Sequence, residues 1–342
     1  MKSGIIGLSG AGKNTVFEAL TLNFEATGRT GENRIGTIRV PDSRVDVLSD
    51  MHHPRKTIHA QVEYFLPGQR SEESSKDQAL WTPVRDCDAL IHVIRNFSGY
   101  GYDTPKPNED FVKTDQELIL ADFMVAEKRL ERLTLDHKRG KKIDPEELSL
   151  LQECVANLEN ETPLRKVPHL AEAHRLKGFA FLSAKPMLVL FNNTDDDDQL
   201  PEVKDLTARE MCMIIRGKLE QELAQMSVEE ADEFLKEFNI KASAMDRVIT
   251  KSYELLGLIS FFTVGEEEVR AWTIKKGTPA VDAAEVVHSD MKKGFIRAEV
   301  LAFEDLMSAG TYVMARKKGT VRLEGKSYEV QDGDIVQIRF NV

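Results

Sequence analysis

Cysteine is scarce. The chain has three in 342 residues: Cys87, Cys154 and Cys212. An odd number, far apart, builds neither a disulfide framework nor a set of metal ligands, so a reducing compartment is expected, the cytoplasm above all. Long apolar runs are missing too. None approaches the roughly 18 residues of a membrane helix, so no membrane partner is expected. The opening stretch, Met1 to Gly7, lacks the apolar run of a signal peptide. An excess of positive charge is also absent. The formal net charge is −11, which excludes an all-over electrostatic grip on nucleic acid. No Ser/His/Asp arrangement presents itself, and the cluster His52, His53 and His59 shows no metal spacing, so those histidines read as surface residues.

What is present fits two or three globular domains. Hydrophobic residues make up 41% and charged residues 30%, a mixture that suits packed cores with long solvated helices. The acidity is uneven. From Thr263 to Val342 there are 12 Lys and Arg against 13 Asp and Glu; from Phe111 to Lys142 there are 8 against 6. Those two segments remain free to touch RNA.

Lys2–Ile6 reads as a strand, followed by a Gly-rich turn and a helix from Asn14 to Leu22, the opening of an α/β nucleotide-binding unit. Gln61–Leu66, Ala89–Ile94, Met187–Phe191 and Met211–Ile215 are short apolar runs of the kind buried in a parallel sheet. A helical pattern interrupts them. Phe123, Ala126, Leu130 and Leu133 repeat at helical spacing, as do Leu148, Leu151, Val155 and Leu158. Asp144 caps the second run, Pro145 opens it, and Glu147 completes the pattern of a capping box. The basic turn Lys138–Lys142 should join the two helices as an antiparallel hairpin. Beyond Thr263, strand-like runs at Val269–Ile274, Phe295–Leu301, Thr320–Leu323 and Ile335–Phe340, with one helical turn at Glu304–Met307, suggest a small α+β domain. Trp81 and Trp272 read as core anchors.

Gly7-Leu8-Ser9-Gly10-Ala11-Gly12-Lys13-Asn14 matches the phosphate loop G-x-x-x-x-G-K-[ST] at every position but the last. Glycines let backbone N–H groups turn toward phosphate, the helix N-terminus adds its dipole, and Lys13 supplies a point charge. Gly10, Ala11, Gly12, Lys13, Asn14 and Thr15 are the expected phosphate contacts. Asn14 stands where a hydroxyl ordinarily meets Mg²⁺; an amide oxygen also binds hard cations, with a different reach.

The C-terminal strings carry a resemblance: Phe261 to Thr278, His288 to Val300, Leu323 to Lys326, Val330 to Asp334, and Arg339 to Val342. So do Glu117 to Asp122 and Glu127 to Leu133 in the helical part. The chain resembles the YchF or Obg-like ATPase family, of the TRAFAC P-loop GTPase class, along its whole length. The likeness is weakest between Gly28 and Val84. It implies an α/β fold: a P-loop, Ras-like nucleotide domain (residues 1–110 and 180–258), an inserted antiparallel helical hairpin or arm (111–179), and a C-terminal β-grasp, TGS-like domain (259–342). It further implies ATP or GTP as ligand with Mg²⁺, and the ribosome or RNA as partner through the arm and the C-terminal domain. A monomer is the default.

Departures from the family pattern fall on hydrolysis. The D-x-x-G Asp position falls on Leu66 or is deleted, although Gly68 is kept, and Pro83 stands where relatives have His or Asn. Thr30 aligns with the family's Mg²⁺-binding Thr in unlike surroundings, so a plain loop reading of it is equally open. The base motif N-x-x-E becomes Asn192-Asn193-Thr194-Asp195, without the Lys that guanine-binding proteins carry; Asn192 and Asp195 are the base-binding candidates. Arg216-Gly217-Lys218 takes the place of the last nucleotide motif. Lys138, Arg139, Lys141 and Lys142 at the hairpin tip, and Arg316, Lys317 and Lys318, are candidate phosphate-backbone contacts. Three readings follow: a nucleotide-dependent, ribosome-associated switch with weak or absent hydrolysis; a catalytically dead pseudo-GTPase adaptor on the same scaffold; and an unrelated P-loop kinase, which the C-terminal resemblance opposes.

Overall fold

Apolar runs bounded by turn residues become strands, and the spacing of the rest decides which face each helix buries. The computed structural model describes all residues except 24–31, 69–80, 100–102, 238–242 and 342. In chain order its main elements are β1 (Lys2–Ile6), α1 (Lys13–Thr21), β2 (Arg34–Arg39), α2 (Ser43–His52), β3 (Lys56–Ile58), β4 (Gln61–Leu66), β5 (Ala89–Asn96), α3 (Pro107–Lys138) and α4 (Pro145–Glu159). Then come β6 (Met187–Asn193), β7 (Met211–Ile215), α5 (Gly217–Leu223), α6 (Ala244–Leu256), β8 (Leu258–Val264) and β9 (Glu268–Lys275). The chain closes with α7 (Ala280–Val287), β10 (Phe295–Ala302), α8 (Phe303–Ala309), α9 (Tyr312–Lys318), β11 (Arg322–Glu324) and β12 (Asp334–Phe340). It divides into two units, residues 1–38 with 63–248, and residues 39–62 with 249–342.

The first unit is built on a sheet of order β2-β4-β1-β5-β6-β7. The pairs of β1 with β4 and β5, of β5 with β6, and of β6 with β7 are parallel. Every residue of β6 is buried, as expected of a strand covered on both faces. One core joins Leu90, Ile94, Val189 and Phe191 of the sheet to Phe111, Leu118 and Ala121 at the root of α3.

Farther out, the apolar seams pair as the spacing predicts. Ala126, Leu130 and Leu133 of α3 pack with Leu148, Leu151, Val155 and Leu158 of α4. Asp144 caps α4 by accepting from the Glu146 amide at 3.0 Å. Glu147 departs from the capping-box expectation. Its carboxylate takes a bidentate bond from Arg129 of α3, at 2.8 and 3.0 Å, and pins the two helices together.

At the arm's root lies a buried charge cluster. Arg165, whose side chain is 6% exposed, donates to both oxygens of Asp115 (2.8 and 3.0 Å) and to Glu210 at 2.9 Å.

The second unit holds a sheet of order β11-β10-β12-β8-β9-β3. Its edge strand β3 comes from far upstream and runs parallel to β9, with Lys56, Thr57 and Ile58 opposite Glu268, Val269 and Arg270. The neighbouring α2 is fastened to the same unit by Arg44, which pairs with Asp332 at 2.7 Å and lies over the Phe262 ring at 5.1 Å. The face of the sheet carrying Phe261, Ala298, Val300 and Val336 packs on Ala280, Ala283 and Ala284 of α7. The expected single turn at Glu304–Met307 is the longer α8, and the strand expected at Thr320–Leu323 is β11, shifted to Arg322–Glu324.

Candidate functional site

The loop after β1 can be made only with glycine at its corners. Gly7, Gly10 and Gly12 have φ of 144°, 78° and 87°, where a side chain strains the backbone. Space gives the same answer. A Cβ on Gly7 would lie 2.2 Å from the Val93 carbonyl oxygen, and one on Gly12 would lie 2.3 Å from Asn192 Nδ2.

The loop ends on α1, whose N-cap is Gly12; no side chain caps the helix among the described residues, and no acid occupies its first turn. Its opening N–H groups and dipole are therefore available to an anion. Lys13 is half-buried, and burial draws its pKa below the ordinary lysine value. Its ammonium donates to the carbonyls of Gly7 (2.8 Å) and Leu8 (2.7 Å), a closed arrangement that places the charge inside the loop. Asn14 is exposed on α1 and Thr15 is half-buried beside it.

Asn192, at the C-terminal end of β6, joins three segments. Its side-chain Nδ2 donates to the Ala11 carbonyl at 3.1 Å, and its Oδ1 accepts from the Gly217 amide at 3.0 Å. Gly217 has to be glycine, because a Cβ there would lie 2.7 Å from Asn192 Oδ1. Asp195 follows on the same loop. Its Oδ1 accepts from the Leu219 amide at 3.1 Å, holding the first turn of α5, while Arg216 reaches the Asp195 carbonyl at 3.4 Å. The phosphate loop and the base-motif candidates are thus one connected structure.

Asn193, between them in sequence, is buried and fully engaged. It accepts from Asn96 Nδ2 at 2.9 Å and donates to the carbonyls of Asp197 (3.2 Å) and Gln199 (2.8 Å). The acidic run Asp195–Asp198 is therefore a pinned turn. In sequence this position shows a missing lysine; the signal for what replaces it is a second amide at the end of an apolar strand.

The other candidates fall as follows. Leu66 ends β4 buried in the core, 3% exposed. Gly68 donates its amide to Asn33 Oδ1 at 3.0 Å, and Pro83 lies in a short 3₁₀ turn, Thr82–Val84. Thr30, the switch candidate, lies outside the described residues. Lys138, Arg139, Lys141 and Lys142 are all exposed at the turn between α3 and α4, where Lys141 pairs with Asp136 at 2.8 Å. His52 and His53 are exposed and His59 lies 3.3 Å from Asp46. Trp81 is a core residue; Trp272 is half-buried, with the Arg270 guanidinium 3.9 Å above its ring. Behind the loop, His92 of β5 is fully buried and stacks on Phe111 at 5.7 Å. Burial, aided by the charges of Arg165 and Lys13, pushes its pKa down to about 3, so it is neutral.

Comparison with known proteins gives the family. The family model YchF-GTPase_C, described as a protein of unknown function (DUF933), matches residues 258–341. The chain is 36% identical to the ribosome-binding ATPase YchF of Bacillus subtilis strain 168 over 364 residues, covering 100% of both chains. This chain belongs to the YchF family. It is 34% identical to the ribosome-binding ATPase YchF of Escherichia coli O157:H7, covering 100% of this chain and 99% of that one. The solved YchF GTPase of Schizosaccharomyces pombe superposes with a TM-score of 0.83 at 28% identity, over 99% of this chain and 97% of that one. YchF membership identifies the fold as the P-loop domain with a helical insertion and a TGS-like C-terminal domain. Among the described residues, no helix is long and apolar enough to cross a membrane.

Proposed function

We propose that the chain binds a purine nucleoside triphosphate, ATP ahead of GTP, at the loop Gly7–Thr15, hydrolyses it slowly or not at all, and associates with the ribosome through its arm and C-terminal domain. The observation that carries this reading is the Asn192 bridge, which fastens the anion-ready loop to the loop that carries Asp195. In this reading residues 1–110 and 180–258 do the nucleotide chemistry, 111–179 form the arm, and 259–342, with the upstream strand β3, form the partner-binding end.

The base preference follows from the missing lysine. Asn193 is buried and turned inward where guanine-binding proteins offer lysine, and Arg216-Gly217-Lys218 replaces the loop that supports guanine.

The triphosphate fits the described residues; magnesium fits them poorly. Asn14 offers an amide oxygen in place of a hydroxyl, and Leu66 is an apolar core residue where a second-shell acid is expected. Hydrolysis in this fold relies on positioning and charge stabilisation. Loss of those two groups, with Pro83 at the water-positioning place, leaves binding intact and turnover weak. A second reading, the pseudo-GTPase adaptor, shares every binding feature and differs only in turnover.

Calorimetry with ATP and GTP tests the site. Lys13→Ala removes a charge-assisted bond of about 1.5–3 kcal/mol, so affinity should fall roughly 10- to 150-fold. Unchanged affinity would sink the assignment. Single-turnover hydrolysis is expected at or below about 10⁻⁴ s⁻¹, the order of an unassisted small GTPase. A rate near 1 s⁻¹ without a partner would overturn the weak-turnover reading.

A further inference from the structure

The sheet of the second unit has a face that α7 does not use; α8 and α9 cover its centre, and Arg297, Arg316 and Arg339 stay exposed. Antiparallel partners share a face, as do alternate residues of a strand. Arg297 of β10 lies opposite Arg339 of β12. Glu299 lies opposite Gln337 of β12 and Leu323 of β11, and Leu301 lies opposite Ile335. These residues therefore line the face opposite to the Ala298, Val300 and Val336 core.

At its centre is Glu299, whose side chain is 2% exposed. One oxygen accepts from the Tyr312 hydroxyl and from Arg316 at 2.5 Å; the other accepts from Arg339. Those donors, the Tyr312 hydroxyl foremost, hold its carboxyl below the ordinary glutamate range. The two guanidinium side chains remain 60% and 52% exposed, so their other N–H groups point to solvent. Arg316 also lies over the Tyr312 ring at 5.7 Å. Arg297, the third guanidinium, makes no ion pair among the described residues. A buried carboxylate thus spreads a cluster of arginines with donors to spare.

Beside this cluster is a cavity of about 240 Å³. Leu306, Ile335 and Val264 give it apolar walls, and Glu299, Tyr312 and Gln337 give it polar ones. It is smaller than the roughly 300–1,000 Å³ of sites that enclose a whole ligand, so it suits one group of a longer chain. That group is not acidic, because Glu299 and Glu266 both line the cavity. A planar base meets the requirements. It stacks on tyrosine, its exocyclic amino group donates to the carboxylate, and its edge bonds the Gln337 amide.

We infer that this face is a single-stranded RNA site, in which Arg297, Arg316 and Arg339 hold successive phosphates and the Glu299–Tyr312–Gln337 cavity takes one unstacked, amino-bearing base. The inference rests on the ribosome-associated reading and gives it a contact surface.

The test is fluorescence anisotropy of a labelled oligoadenylate with the full chain across a KCl series. Each phosphate contact on a single strand contributes about 0.7 to the slope of log affinity on log salt. Arg316→Ala with Arg339→Ala should therefore lower the slope by about 1.4. Arg297→Ala, which breaks no ion pair among the described residues, should lower it by about 0.7. Tyr312→Leu should weaken binding roughly 5- to 150-fold, the worth of one stacked base, whereas Tyr312→Phe keeps most of it. Oligoadenylate should bind more tightly than oligouridylate. Wild-type slopes in the arginine variants, duplex RNA bound as tightly as the single strand, or displacement of RNA by an acidic peptide would each overturn the proposal. Ribosome co-sedimentation of the same proteins separates the two levels. Failure of the wild type to sediment rejects ribosome association while the RNA titration still reports on this face. Equal sedimentation of wild type and arginine variants, with unchanged slopes, rejects this face alone.

Discussion

Asn192→Ala tests the bridge that unites the nucleotide site. The side chain is 4% exposed and makes two hydrogen bonds, to the Ala11 carbonyl at 3.1 Å and from the Gly217 amide at 3.0 Å. Removing it leaves a buried acceptor and a buried donor without partners. At about 1–3 kcal/mol each, discounted because water reaches part of the vacated space, the loss is roughly 2–4 kcal/mol. In a unit of this size about 1 kcal/mol moves the midpoint by roughly 2–4 °C, so a drop on the order of 5–15 °C is expected in thermal denaturation. Asn192→Asp gives the sharper contrast. It keeps an acceptor for Gly217 but sets a carboxylate against the Ala11 carbonyl. It should therefore bind nucleotide no better than the alanine variant, although it is nearly isosteric. Both variants should show little extra stabilisation on adding ATP, measured as a shift in midpoint. Melting within a degree of wild type with full nucleotide affinity in Asn192→Ala would refute the bridge.

Other expectations follow from single contacts. Arg165→Met strands Asp115 at the arm's root and leaves Glu210 paired with Lys166 at 3.0 Å, and it should lower stability by about 3–5 kcal/mol in denaturant titration; a loss under about 1 kcal/mol would show that Asp115 finds another partner. Glu220 is 4% exposed, caps α6 by accepting from the Ala244 amide at 2.9 Å, and has its pKa raised, chiefly by burial. Its ionised form is disfavoured in the fold, so its contribution to stability is fully present below the ordinary glutamate range and is lost as pH rises through the raised value. Glu220→Gln keeps the acceptor without the charge, and its melting point should gain on wild type more at pH 8 than at pH 5; the opposite trend would contradict this. Neutralising Lys138, Arg139, Lys141 and Lys142 should weaken ribosome co-sedimentation and reduce its salt sensitivity, and an unchanged pellet at all salt concentrations counts against a role for the tip.

Local signals were legible in proportion to how local their causes are. The strand ends at Ile6, Leu66 and Ile215 agree with the apolar runs because glycine, proline or polar residues stop them. The α3–α4 seams were readable because four residues at helical spacing on each side are enough to specify a pair. The phosphate loop was readable because Gly7, Gly12 and Lys13 occupy fixed steps. The connections were not. Nothing in Lys56-Thr57-Ile58 announces a partner at Glu268–Arg270, more than 200 residues away. Arg165 shows no sign of Asp115 and Glu210, each some 45–50 residues distant. The Glu299 cluster joins four residues whose only shared property is the geometry of one sheet face. The roles of Asn193 and Glu147 were misjudged or passed over for the same reason: a short polar side chain bonds whatever the fold brings near, and a motif names only one option.

The upstream edge strand has a consequence for how the protein is made. Residues 39–62 leave the ribosome early, yet the strand that β3 pairs with, β9, ends at Lys275. At about 5–20 residues per second, the segment waits on the order of ten to forty seconds with its hydrogen-bonding edge and the apolar side of α2 uncovered. During that interval Val45 and Leu48, both buried in the finished fold, face solvent or a chaperone. A fragment starting at residue 258 therefore begins life without its sixth strand and exposes β9 as an open edge, a template for pairing with a second copy. Supplying residues 39–62 as a separate peptide should keep that fragment monomeric, in the manner of donor-strand complementation.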